Sequence, residues 1–490
     1  MKNGKMLGGT SADALLLTVI KLVTIVLGIV ITRLLSEFLT VHDYGTYSQI
    51  LLIVSLITSV TVLGMMDGVN FFYGSIRDEK KRECYIATMF CLQCMVSAAA
   101  GTLVMLASGP ICAYFENPDV RKLLGFAAVL PLMQNLMGMM QVLLVSVGKA
   151  RILAVRNLAV SLIRLGIVLL VVSAAGSVAV VLLTTVVLDG AQVGLFWLIL
   201  RKNRCAISVF HTDFRLTKEI LRYCVPMGIF TAVNALNRDC DKYLVALMTD
   251  TQTLAVYANA SKALPFDVLM ASFCTVLIPK ITRGIAGGEY EKTARLYRSF
   301  LEIGYVSTGI PCCAVLAAAP QLMRLLYSEK YLGGLPVFCV YILVDLLHFT
   351  NLTLVLSAGG RTKLLMGLGI GALVLNLVLN LVLFQLLGII GPALATLLTT
   401  LILGICILSS GAKVLKTGIG RLFDGKRLCL FTVELAAVVA VFSGLRRVLE
   451  GWNLHYVAVL LIVGGGSALS MLALEGKRLL ATLKQVNKLT

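Results

Sequence analysis

A chain of 490 residues that is 58% hydrophobic and only 14% charged, with a mean hydropathy of +0.92, does not have the composition of a water-soluble domain. Its net charge of +18 invites a nucleic-acid reading, but no basic-aromatic cluster marks an RNA or DNA surface. Apolar windows near the ~20 residues that cross a bilayer recur along nearly the whole length, separated by short loops.

In chain order the windows predict fourteen spans, near 13–34, 45–66, 85–108, 123–146, 152–173, 178–200, 223–247, 254–279, 299–323, 335–358, 364–385, 391–412, 428–445 and 455–474. Each is predicted helical, because backbone facing lipid must satisfy its own hydrogen bonds and the windows lack the alternation of a barrel strand. The polar "MKNGKMLGGTSAD" before the first span, with no small-residue cleavage site after it, argues against a signal peptide.

Charge sets the expected topology. With the N-terminus inside, the even loops and both tails hold 31 of the 43 Lys and Arg, among them Lys149, Arg151, Arg156 and six from Arg201 to Arg222; the opposite loops hold six. Both termini are therefore expected in the cytoplasm. The thirteen cysteines fall mostly inside spans and read as small packing residues, with no disulfide framework. "CLQC" at Cys91–Cys94 has metal spacing but no second Cys pair or His beside it, so no metal or other cofactor is expected.

The two halves echo each other. Tyr47 in "YGTYSQ" has a counterpart in Tyr257 of "LAVYANA", Ser146 in "SVGKAR" in Ser357 of "SAGGRTK", and "LLTT" at Leu182–Thr185 recurs at Leu397–Thr400. The three matches keep the same order and a nearly constant separation, which indicates a duplication. The expected architecture is an all-α integral membrane protein: an N-terminal six-helix bundle (1–200), a cytoplasmic linker (201–222), a second six-helix bundle (223–412), and two further helices with a cytoplasmic tail (413–490). An even number of spans per repeat relates the bundles by an axis along the membrane normal.

The seventh span, "FTAVNALNRDCDKYLVAL", carries four charges in five residues. A charge at a helix centre costs roughly 2.5–3.5 kcal/mol, against about 0.3–0.6 returned by each Leu or Val. Asn234, Asn237, Arg238 and Asp241 follow i, i+3, i+4, i+7 and predict one polar stripe, with Asp239 and Lys242 paired beside it. Two readings stand: internal ion pairs that hold helices together, or a face turned to a water-filled cavity. Lys21, Arg164 and Lys262 lie inside other spans with no acid three or four residues away, and favour a cationic cavity for an anionic, phosphate-bearing substrate. Arg33 near a helix end reads as snorkelling. Asp189 and Asp345 at membrane depth are candidates for coupling to a proton or sodium gradient. Asp239-Cys240-Asp241 matches a metal-binding DxD pattern but lies in an apolar helix between cations, and no catalytic triad or zinc set is present, so the chain reads as a transporter and not an enzyme.

From about Lys21 to Ala412 the chain resembles the polysaccharide flippases of the multidrug/oligosaccharidyl-lipid/polysaccharide exporter superfamily. "ILRYCVPMGIF" followed by "RDCDKYLVALMTDTQTLAVYANASKAL" is similar to the family pattern of an early Pro, Asp-Lys-Tyr, an apolar stretch, Gly-x-Tyr and a Lys, fitted by Asp241, Lys242, Tyr243, Tyr257 and Lys262, with Ala255 in place of the Gly. Arg33, Gly45 and Tyr47 in "ITRLLSEFLTVHDYGTYSQ" fit its first-half counterpart. The resemblance implies fourteen helices in the bacterial inner or plasma membrane working by alternating access. It also implies a lipid-linked oligosaccharide on undecaprenyl pyrophosphate as substrate, turned from the cytoplasmic to the outer leaflet for surface polysaccharide such as lipopolysaccharide or capsule. Membrane lipids, a polysaccharide polymerase and export machinery are the implied partners. Lys21, Arg164, Asn234, Arg238 and Lys262 are the expected substrate ligands, and Arg33, Asp189, Asp241, Lys242, Tyr257 and Asp345 the structural or coupling residues. A lipid II flippase is the alternative, followed by a cation-coupled drug antiporter, whose cationic substrates a basic cavity would repel, and last by a multi-span glycan polymerase, which would carry a large outer loop.

Overall fold

The computed structural model describes the backbone of residues 4–147, 149–174, 176–202, 211–266, 280–285 and 287–489, and side chains from residue 20 to 482 except those of residues 150 and 362. Every regular element among the described residues is a helix, as the backbone argument requires. The chain forms two compact units, Met1–Ala255 and Val256–Thr490.

The first unit contains α1 (Gly4–Phe38), α2 (Val41–Thr61), α3 (Met65–Ser75), α4 (Glu79–Leu106), α5 (Ser108–Phe115), α6 (Pro118–Ser146), α7 (Ala150–Ser173), α8 (Val178–Lys202), α9 (Thr217–Met248) and the start of α10 (Thr251–Ala260). Helix α6 is central, packed on α2, α3, α4 and α8, while α1 lies along α7 and α9 along α2. The second unit contains α11 (Tyr290–Ala317), α12 (Ala319–Tyr327), α13 (Leu335–Leu347), α14 (Leu354–Ala358), α15 (Thr362–Leu387), α16 (Ile390–Val414), the short α17 (Ile419–Leu422), α18 (Gly425–Gly451) and α19 (Tyr456–Leu489). Here α11 is the hub, against α13, α18 and α19.

The duplication is plain in the helix bounds. Helix α11 lies as far along the chain from α4, at its start and at its end, as Ser357 lies from Ser146, and α12 begins at that same separation from α5. Each short helix is followed by a residue of positive φ, Glu116 at 48° and Ser328 at 82°. The compact-unit boundary falls after α9, although the repeat begins with that helix.

Eleven helices among the described residues are long and apolar enough to span a bilayer; the predicted spans 13–34, 223–247 and 254–279 are not among them, the first and last lying partly outside the described residues, so the count of fourteen is not confirmed. In α9 the clustered charges lower the hydropathy of a 32-residue helix. In the eighth span, helix α10 stops at Ala260 ahead of Pro265, which removes an N–H and disfavours helical backbone at Leu264; residues 267–279 lie outside the described ones.

Two predicted spans are broken. The second splits at Leu63-Gly64, where Gly64 adopts a φ of 68°. Gly228 of α9 packs against this break so closely that a Cβ would stand 2.5 Å from the Leu63 carbonyl carbon. Gln93 donates to the freed Thr61 carbonyl at 3.0 Å. The tenth splits between Leu347 and Leu354, and there Tyr297 Oη donates to the Leu352 carbonyl at 3.0 Å. Neighbouring side chains thus satisfy the backbone that the breaks leave open.

Candidate functional site

Within the first unit α6, α7 and α8 form an open-sided cavity of about 220 Å³, lined by Gln134, Met137, Val160, Ser161, Arg164, Asp189 and Gln192. Asp189, 3% exposed, accepts from Arg164 Nη2 at 3.3 Å and from Gln192 Nε2 at 3.0 Å. Gln192 in turn accepts from Arg156, whose other nitrogen donates to Asn157 at 2.8 Å and whose guanidinium lies 4.2 Å from the centre of the Phe196 ring. Tyr47 of the Gly-x-Tyr motif stands within electrostatic reach of both Arg164 and Asp189.

Two expectations are corrected here. Arg164 is not an unpaired cation, because its acid comes from the adjacent helix and not from its own. Arg156, assigned by sequence to a cytoplasmic loop, is 8% exposed inside the helix layer. The pattern that could have found it is Arg156, Val160 and Arg164 at i, i+4 and i+8 on one face of α7, set against Asp189, Gln192 and Phe196 at i, i+3 and i+7 on α8. Two guanidiniums against one carboxylate leave one surplus positive charge beside the cavity, enough to attract an anion in a poorly screened site.

The charges of α9 divide by neighbour. Asp239, the residue with the least obvious role in the sequence, is the centre: Lys242 Nζ donates to it at 2.7 Å, Ser55 of α2 at 3.2 Å, and Arg238 Nε lies at 3.7 Å. The expected Asp239–Lys242 pair is made. The expected single stripe is not one surface, since Asn234 and Arg238 are exposed, Arg238 by 69%, whereas Asp241 is buried. Helical angle gives direction, but the neighbours at each level decide what is covered. Tyr243 Oη donates to the Leu52 carbonyl at 3.1 Å, a second tie between α9 and α2.

The remaining residues are dispersed. Lys21 is exposed on α1, and Arg33 pairs with Glu37 one turn along the same helix. In the second unit Tyr257 is fully buried with its ring edge-on to Tyr341, and Lys262 donates to Asn259 at 3.1 Å and faces the Tyr327 ring. Asp345 accepts the Leu264 N–H at 2.9 Å and so satisfies backbone just beyond the end of α10. Gly45 is required sterically: a Cβ there would come 2.2 Å from the Thr251 carbonyl oxygen.

A family model described as "Polysaccharide biosynthesis protein" matches residues 30–336. A probable lipid II flippase MurJ of Rhizobium meliloti is 24% identical over 141 residues, 28% of this chain and 26% of that protein, so the match spans about a quarter of the relative's length. Among solved structures, a lipid II flippase MurJ in an inward closed conformation has a TM-score of 0.73 at 14% identity, covering 95% of this chain and 100% of that one. An inward-facing multidrug resistance MATE family transporter of the MOP superfamily has a TM-score of 0.59 at 14% identity, covering 82% and 96%. At such identities the structural likeness shows the fold. The family model takes in well over half of the sequence, and the chain therefore belongs to the polysaccharide biosynthesis protein family.

Proposed function

We propose that this protein flips undecaprenyl-pyrophosphate-linked oligosaccharide repeat units from the cytoplasmic to the outer leaflet of the bacterial inner or plasma membrane by alternating access, without covalent chemistry. The observation that carries the reading is the cavity in the first unit, where Arg156 and Arg164 outnumber Asp189. A pyrophosphate offers oxygens to a guanidinium fork, and Arg164, half exposed while holding Asp189 through one nitrogen, has donors left for it. Lys21, Asn234 and Arg238 are exposed on α1 and α9 and supply further polar groups for the same headgroup; Lys262 is the corresponding cation of the second unit. Asp189 is the group through which a coupling ion would act, by competing with Arg164 for the carboxylate. The unit delivered to the outer face would feed a polysaccharide polymerase and export machinery, and both termini stay in the cytoplasm.

Arg164→Ala and Arg238→Ala test the reading. Each should remove surface polysaccharide while leaving protein in the membrane, with lipid-linked units accumulating inside; normal export by both variants would overturn it. A second reading, lipid II flipping, is favoured by the likeness to the lipid II flippase fold. It predicts that the protein sustains growth of cells depleted of their own lipid II flippase, which an oligosaccharide-specific protein would not do. Flipping by purified protein in vesicles without an ion gradient would argue against obligatory coupling at Asp189.

A further inference from the structure

Arg156 is a buried cation that makes no ion pair of its own among the described residues. Its guanidinium donates to Asn157 Oδ1 at 2.8 Å and to Gln192 Oε1, and it lies 4.2 Å from the centre of the Phe196 ring. Its Nε is a buried donor with no acceptor among the described residues. Arg156 is also not part of the cavity wall, to which Arg164 contributes from about two turns further along α7. A covered cation held by neutral groups alone costs stability that an apolar side chain would not, which points to a role other than stability.

Hydrogen-bond chemistry supplies that role. A glutamine amide can turn either its oxygen or its N–H groups to a neighbour, whereas a guanidinium only donates. With Arg156 on Gln192 Oε1, the other end of the amide is Nε2, a donor, and it donates to Asp189 Oδ1 at 3.0 Å. Arg164 Nη2 donates to the same oxygen at 3.3 Å. The two donors differ in freedom: Gln192 is buried and held from behind by Arg156, whereas Arg164 is half exposed and able to turn into the cavity. Of the other groups facing Asp189, Tyr47 of α2 is within electrostatic reach, and α6 brings Gln134 and Met137 to the cavity wall.

We propose that Arg156 is a positioning residue: without reaching the cavity, it fixes the Gln192 amide as a donor to Asp189 and so keeps that carboxylate ionised and in place when Arg164 turns from it to an anion. Arg164 leaving takes away one donor and one positive neighbour at once. A carboxylate as deeply covered as Asp189, stripped of its remaining donor as well, takes up a proton near neutral pH, because burial penalises the charged form. The Gln192 N–H, with the Arg156 charge behind it, prevents this and leaves an acceptor to which Arg164 returns once the anion has gone. The proposal takes from the substrate reading above only that an anion draws Arg164 away.

The test is infrared spectroscopy of the full-length protein in nanodiscs at neutral pH, with Arg164→Ala standing for the state in which Arg164 has left. Any protonated-carboxyl band is assigned to Asp189 by its loss on adding Asp189→Asn. Arg164→Ala alone should show no Asp189 band. Adding Arg156→Met should make the band appear, adding Gln192→Met should do the same although it keeps the Arg156 charge, and adding Arg156→Lys, which still donates to Gln192, should not. If the Arg156→Met protein fails to fold, Gln192→Met decides. An Asp189 band already present in Arg164→Ala overturns the proposal, and so does its absence from the Arg156→Met and Gln192→Met proteins, or an equal band with Arg156→Lys and Arg156→Met. None of these readings requires a substrate, so loss or retention of polysaccharide export in Arg164→Ala judges the substrate reading separately.

Discussion

Removing either partner of the Arg164–Asp189 pair should have unequal consequences. At 3.3 Å and an effective dielectric constant near 20 the Coulomb attraction is about 5 kcal/mol as an upper bound. The partners are unequally covered, since the Asp189 side chain is 4% exposed and that of Arg164 42%. Asp189→Ala removes the carboxylate that holds Arg164 and Gln192 and that offsets the charge of the buried Arg156, a change of the kind that costs ~3–5 kcal/mol. Arg164→Ala leaves Asp189 still held by Gln192 at 3.0 Å and removes a bond already screened by solvent, so it should cost ~1 kcal/mol or less. Thermal unfolding of the two purified variants, followed by tryptophan fluorescence in detergent, measures the difference directly. Asp189→Ala should melt well below the wild type and Arg164→Ala close to it, while Arg164→Ala still loses export. Equal destabilisation by both, or a larger effect of Arg164→Ala, would refute the argument from burial.

Gly228→Ala should cost about 1–3 kcal/mol and lower the yield of folded protein, because its Cβ meets Leu63 and Gly64 backbone; Gly138→Ala, whose Cβ meets only the flexible end of Met66, should be milder in the same detergent melt. Tyr297→Phe leaves the Leu352 carbonyl without its hydroxyl donor and should cost about 1–3 kcal/mol, read as faster amide exchange at residues 348–353. Asp250 accepts the Thr253 N–H at 2.6 Å, which holds its carboxyl below the usual range; its contribution is full above the unfolded value and lost as pH falls through the lowered one. Asp250→Ala should therefore cost about 1 kcal/mol at neutral pH and nothing in strong acid, measured by melting at both.

Much of the fold is written in hydropathy, because the bilayer forbids most alternatives. The duplication was legible from three short matches, and the helix bounds repeat with the same offset. Helix breaks were harder to read. Gly64 and Pro265 stand at two of them, inside windows read as continuous spans, and the break after Leu347 depends on Tyr297 offering its hydroxyl from another helix. Charge pairing divided in the same way. Asp239 and Lys242 are three residues apart on one helix, so sequence alone could pair them. Arg164 and Asp189 are separated by a turn between helices, and no local spacing joins them. Arg156 shows the converse error, since a cation near a helix start looks like a loop cation until the residues around it are known.

Composition and periodicity by themselves determined that this is a repeated, all-helical membrane protein with polar groups held at membrane depth, because lipid admits only self-satisfied backbone and makes every buried charge costly. Only the tertiary structure decided which charges meet. A carboxylate's partner is whatever helix packs beside it, and that depends on close approaches such as Gly228 on Leu63. The same packing brings Glu302 and Glu475 to Arg427 from three helices that no local spacing relates.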